Sequence, residues 1–291
     1  MRLCNSWPIF SVCLLAVCAV CAVCAGCAPE DPPVAGIDHV PVAVKNLAAA
    51  GARFRALGFT LKPGRVHDNS MDNLHARNAD GTEIELITAS EPRDALAQHY
   101  LRMIADGEGP ASLALHADLD VLETRLTKSR LAFARRGDMI EVLDPRIDYL
   151  FLGRDNHSPT DKPAHFVHPN TSSAIIGVWL ADEENPALRQ LLEAVGAHFS
   201  YREVFIPEAF RAQVAWLDGS EIILLPAAKR RIKDRPILGV ILRTEHLLAV
   251  TKLASNAHLL PWTLSGNAKY QSLLIPPQNA HGLWLEFRGA Y

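Results

Sequence analysis

Residues 36–44 read Gly-Ile-Asp-His-Val-Pro-Val-Ala-Val, small and β-branched apolar residues interrupted only by Asp38 and His39. A run of that kind predicts a largely buried strand. Residues 47–57 then take helix-like spacing and stop at Gly58. Residues 59–62 predict a second strand, followed by a polar loop, a strand over 73–77, a turn at Asp80-Gly81 and a strand over 82–88. The order is βαβββ.

The same order returns further along the chain. Residues 174–181 predict a strand and 186–195 a helix, with three more strands over 199–205, 213–217 and 221–225. The hairpin Asp218-Gly219-Ser220-Glu221-Ile222-Ile223-Leu224-Leu225 nearly copies Asp80-Gly81-Thr82-Glu83-Ile84-Glu85-Leu86-Ile87. His39 and Glu85 are separated by as many residues as Gly177 and Ile223, the constant offset expected of a repeat. A further unit covers 236–288, with a strand through Arg243, a helix over 245–255 and a last strand over 282–287. A fainter one lies at about 110–153, with a helix over 118–131 and strands near Ile140 and over 149–152. Residues 96–105 predict an extra helix, and 155–171 a polar crossover. Two βαβββ units side by side make a curved sheet with helices on its convex side and a concave cup suited to a small molecule.

Composition narrows the setting. With 49% hydrophobic and 21% charged residues and a formal charge of −3, the chain is an ordinary globular protein without the basic excess of a nucleic-acid binder. The basic run 229–235 sits between apolar segments and reads as a solvated linker. All six cysteines precede residue 28, so no disulfide framework holds the fold. Arg2, the apolar residues 9–23 and the small pair Ala25-Gly26 read as an export signal over 1–26. Cys27 and the Pro-rich stretch behind it resemble a bacterial lipobox, with Cys24 where an aliphatic residue is usual. That resemblance implies a lipid on Cys27 and a membrane partner. It places the protein in the cell envelope facing the periplasm or exterior, at the outer membrane if the source has one. Residues 27–35 would be the tether.

The stretch at 36–44, Leu57-Gly58-Phe59-Thr60 and Ile84-Glu85-Leu86-Ile87 resemble the vicinal-oxygen-chelate superfamily of glyoxalases, extradiol dioxygenases and resistance proteins. His67 with Asn73, the run His168-Pro169-Asn170 and the ending at 282–287 are similar to its large glyoxalase-like group. The resemblance implies an α+β fold of four βαβββ units paired into two modules with cup-shaped mixed sheets, over 36–154 and 172–291. It also implies a divalent metal (Zn, Mn, Fe, Ni or Co), with His39 matching the first-strand ligand and Glu85 the last-strand ligand. The other first-strand positions carry Ser112, Gly177 and Gly239; the other last-strand positions carry Gly153 or Arg154, Ile223 and Glu286. If units one and two share a cup, His39 and Glu85 are its only ligands; if units one and four share it, Glu286 completes a His/Glu/Glu set. Spacing alone leaves both open.

From the residues themselves, alternation puts Glu83 and Glu85 on one face of their strand, and a buried acid needs a charge partner. His67, Asn73 and His75 lie around a loop and strand that reach the cup, as substrate contacts. His168 and Asn170 equally suit a turn cap. Trp179, Trp216, Trp262 and Trp284 read as core. There is no glycine-rich phosphate loop, and the chain after Cys27 has no thiol nucleophile. These readings favour a metal-dependent lyase or isomerase acting on a small oxygenated substrate, with Glu85 or Glu286 moving the proton. The alternative is a protein of the same fold that sequesters a small ligand.

Overall fold

The computed structural model describes residues 34–65, 67–154, 158–259, 262–266 and 271–289. The export signal, Cys27 and most of the tether lie outside the described residues.

The first unit comprises β1 (Val34–Ala43), α1 (Leu47–Ala56), β2 (Lys62–Pro63), β3 (Met71–Arg77) and β4 (Glu83–Ala89). A helix α2 (Ala95–Asp106) and a short strand β5 (Gly109–Pro110) lead to the second: β6 (Leu113–Ala117), α3 (Leu119–Lys128), β7 (Phe133–Arg136), β8 (Met139–Val142) and β9 (Leu150–Gly153). The third has β10 (Ser172–Leu180), α4 (Pro186–Ala194), β11 (His198–Phe205), β12 (Ala209–Leu217) and β13 (Ser220–Leu224). The fourth has β14 (Ile237–Thr244), α5 (Leu247–Asn256), β15 (Thr263–Gly266), β16 (Gln271–Ile275) and β17 (Trp284–Gly289). The β15–β16 hairpin and β7 are elements that the hydrophobic pattern does not announce.

The strands form two mixed sheets, in the orders β2-β3-β4-β1-β6-β9-β8-β7 and β11-β12-β13-β10-β14-β17-β16-β15. Units one and two therefore share one cup, and units three and four the other. In each sheet the first strands of the two units lie antiparallel, β1 on β6 and β10 on β14. The repeat persists at the level of register: β1 runs parallel to β4 with His39 beside Glu83, and β10 parallel to β13 with Gly177 beside Glu221. Even the irregularities correspond. Bulges interrupt β1 between Val34 and Gly36 and between Ile37 and His39, and β10 between Ser172 and Ala174 and between Ile175 and Gly177.

Side-chain alternation divides the faces. Val40 and Val42 of β1, Ile84 and Leu86 of β4, Ile222 and Leu224 of β13, and Leu285 and Phe287 of β17 join one apolar core with the helices of both modules. Four of the five α-helices among the described residues start on side-chain caps: Asn46 accepts from Ala49 N–H, Asp94 from Ala97, Asp118 from Val121 and Asn185 from Leu188. Gly58 ends the α1 corner at φ +83°, and a side chain there would strike Leu253 and the Asn170 backbone.

Two expectations change. The basic run is not a plain solvated linker: Arg235 is buried and donates to the carbonyls of Met103, Gly107, Gly109 and Pro110, tying off the C-terminal end of α2. Arg230 binds Asp182, which also accepts from Tyr149 across the two modules. Two cations of the run are thus structural: Arg235 caps buried carbonyls at and beyond the end of α2, and Arg230 closes a buried carboxylate. The crossover is likewise structural. His168 Nδ1 accepts from Thr60 N–H and Nε2 donates to Arg77 C=O, while Asn170 donates to Leu57 C=O and accepts from Ser172.

Candidate active site

The concave face of the first sheet collects polar side chains where a core-facing strand would carry apolar ones. β1 contributes His39, β3 contributes Asn73, His75 and Arg77, and β4 contributes Glu83 and Glu85. The bulge before His39 brings neighbouring Asp38 to the imidazole, its Oδ2 lying 3.4 Å from Nδ1. Phe151 of β9 meets the same ring edge-on at 5.4 Å. Burial disfavours a charged His39, but the carboxylates of Asp38, Glu85 and Glu83 outweigh it, so its pKa is raised.

The two glutamates differ. Glu83 is almost wholly enclosed, with His75 Nδ1 at 3.2 Å and Arg77 at 3.4 Å. Burial alone would raise its pKa; His75, His39 and Arg77 turn the shift downward. Arg77 also faces Asp161 at 3.6 Å, and Asp161 accepts from Lys62 at 2.6 Å. A buried carboxylate needs such partners, so Glu83 is committed to holding the face together. Glu85 is only half-buried and accepts from Asn73 at 2.6 Å. Of the two it is the carboxylate with capacity left for a ligand.

α2 lies against this face through Ala97 and Tyr100, packed with Ala43, Met71 and Ile87. The Tyr100 phenol bonds Ser112, and burial together with the Glu85 charge raises its pKa. His39 and His75 keep 13% and 15% of their side-chain surface in solvent.

The structure thus brings His39, Asn73, His75 and Glu85 together. His67 stands exposed in the loop before β3. Glu286 does not join them: β17 belongs to the other sheet, where Glu286 accepts from Trp179 Nε1 at 3.2 Å and Ser272 Oγ at 2.7 Å and pairs with Arg288. The His/Glu/Glu set therefore fails, because first strands of adjacent units pair and unit four pairs with unit three. Ser112 precedes β6, and Ala114 is the residue opposite His39. Among the described residues no group of three His, Cys, Asp or Glu side chains converges on one point. Of the ligand positions, His39 and Glu85 alone fall in this cup, fewer than the three protein ligands of a catalytic zinc site, so the donor set does not fit such a site.

Spacing did not disclose Asp38, Arg77 or Tyr100. Asp38 reaches the site through a backbone bulge and Tyr100 through an inserted helix; Glu83 was visible in the strand alternation.

A family model described as a glyoxalase-like domain matches residues 37–196, from β1 of the first module into α4 of the second. The chain belongs to the glyoxalase-like domain family. This glyoxalase-like protein has the two-module fold of the vicinal-oxygen-chelate superfamily, as similar solved structures show. A xylose isomerase-like TIM barrel/4-hydroxyphenylpyruvate dioxygenase fusion protein is similar at TM-score 0.66 and 14% identity over 89% of this chain. The match spans 50% of the fusion protein's length. A catechol 2,3-dioxygenase is similar at TM-score 0.62 and 12% identity, covering 88% of this chain and 93% of its own. A 4-hydroxymandelate synthase variant from Streptomyces coelicolor is similar at TM-score 0.60 and 11% identity, covering 88% and 93%. No curated protein sequence matches the chain.

Proposed function

We propose that this glyoxalase-like protein is an envelope lipoprotein, anchored through Cys27, whose first cup catalyses a lyase or isomerase reaction on a small oxygenated substrate. The observation that carries this reading is a mostly buried imidazole, raised in pKa by surrounding carboxylates, beside the half-buried Glu85. An acid and a base on one face are the parts needed to move a proton next to a carbonyl. Glu85 takes the C–H proton, and His39 gives its proton to the carbonyl oxygen, leaving an enol. Return of the Glu85 proton to the former carbonyl carbon, as the neighbouring hydroxyl gives its proton to His39, isomerises an α-hydroxycarbonyl; loss of a β-leaving group, protonated by Glu85 as His39 takes back the enol proton, makes the reaction a lyase. Asn73 orients Glu85, and the Glu83 network fixes His75 and the strand beneath.

The test is turnover of α-hydroxycarbonyl and β-substituted carbonyl compounds by the mature chain purified without chelators, with bound metals measured alongside. Proton transfer through these groups predicts that Glu85→Gln and His39→Gln each lower kcat by about 100-fold or more. A stoichiometric metal lost in both variants would replace this mechanism with chelation of the substrate by a two-ligand ion. Labelling with palmitate, abolished in Cys27→Ser, checks the anchor.

The alternative is that the first cup holds a small ligand without chemistry; the second cup is filled by its own core, with Trp179, Ile223, Ile241 and Leu274 buried there. A ligand that binds and is recovered unchanged would support it.

A further inference from the structure

Away from both cups, a cleft of about 310 Å³ opens where the two modules meet. Lys45 and Arg53 come from the α1 region, Arg231 from the segment between β13 and β14, and His281 from the turn before β17. Pro277 and Gly282 form apolar wall. One carboxylate is present, Glu108, and it is already engaged: Oε1 accepts from the Lys45 backbone N–H at 2.7 Å and Oε2 lies 3.0 Å from His281 Nδ1. No ion pair is found for the charged groups of Lys45, Arg53 or Arg231 among the described residues.

The backbone here is held in an unfavourable shape. His281 adopts φ +49°, and Gly282 follows at φ +86°. A side chain at Gly282 would sit 2.1 Å from the Glu108 carbonyl oxygen, and Arg231 donates to the Gly282 carbonyl at 3.0 Å. A non-glycine residue in the left-handed region costs on the order of 1 kcal/mol and persists only where the surroundings fix it. The imidazole is thereby presented with three cations against the single negative charge of Glu108, a lining of net positive charge that a further anion would offset.

We infer that this inter-module cleft binds a small soluble oxyanion carrying at least two negative charges, a phosphate ester or a di- or tricarboxylate, between Lys45, Arg53, Arg231 and His281. The site is independent of the proton-transfer reading of the first cup. Its concave shape suits a free molecule better than a headgroup lying in a flat bilayer.

Calorimetric titration of the full mature chain with inorganic phosphate, succinate and citrate, at constant ionic strength held with chloride, tests it. Saturable binding with Kd below about 1 mM is expected for at least one of the three. Lys45→Ala and Arg53→Ala, both on the cleft rim, are each expected to weaken it tenfold or more. Arg211→Ala, an exposed cation on the β11–β12 hairpin, is expected to leave it unchanged. Absence of saturation by all three anions overturns the proposal, as does equal weakening in the Arg211 variant, which would signal diffuse attraction. Binding confined to vesicles of phosphatidylglycerol overturns it too, by making the ligand a lipid. Unchanged unfolding midpoints in the variants separate lost binding from lost folding.

Discussion

His39 and His168 are both enclosed, yet their surroundings push them in opposite directions. Carboxylates raise the pKa of His39 above the ordinary 6.5, whereas burial lowers that of His168, whose Nδ1 must stay unprotonated to accept from Thr60. By linkage, His39 contributes stability that is complete below pH 6.5 and is lost as pH rises through its folded-state pKa. His168 contributes stability that is present above 6.5 and lost as pH falls through its own. Proton NMR titration should give a His39 midpoint above 6.5, moved down in Glu85→Gln. Urea unfolding of the wild type should lose stability between pH 7 and 5 more steeply than His168→Gln. In the sequence, His39 and Glu85 were singled out by the family resemblance, and strand alternation added only that Glu83 and Glu85 share a face. The role of His168 was not, since its partners Thr60 and Arg77 are remote along the chain and meet it only once the crossover is docked.

At the scale of elements, helices and strands followed from apolar spacing and turns, and the repeat anticipated that unit three would copy unit one. What escaped was a consequence of packing. The edge strands β7 and β15 are short and partly polar, so pairing rather than pattern makes them strands. α2 was foreseen as a helix, but its position across the first cup depends on Arg235, far away in sequence. Removing that side chain withdraws its donors from the Gly107, Gly109 and Pro110 carbonyls just beyond α2. Arg235→Met should therefore cost about 3 kcal/mol in chemical denaturation. It should also speed hydrogen exchange in residues 95–106 ahead of the rest of the molecule.

For the whole molecule, the pairing of units decides the chemistry. Alternation and spacing allowed Glu286 to face His39; sheet order separates them. The two modules nevertheless share one apolar core, and Asn170, Asp182 and Arg235 fasten one to the other. A chain ending at Thr171 should not fold to a soluble, active protein, because the helices of the first module would lose their packing against the second. Insolubility on expression, or broad non-cooperative melting, is the expected result. A cooperative and active fragment would show that units three and four are dispensable.

The matching bulges in β1 and β10 have a use in protein engineering. The bend that presents His39 exists a second time at Gly177, on the same register opposite Glu221, so the second module is a ready socket for a transplanted imidazole. What shuts it is crowding: a Cβ at Gly177 would meet Ile241 Cδ1 at 2.6 Å, Glu221 Cγ at 2.9 Å and the Glu221 carbonyl oxygen at 3.1 Å. Gly177→His would therefore need both Ile241→Ala and a shift of Glu221, whose carboxylate is already held by Arg202 and Arg288, whereas Gly177→His alone meets a blocked entrance.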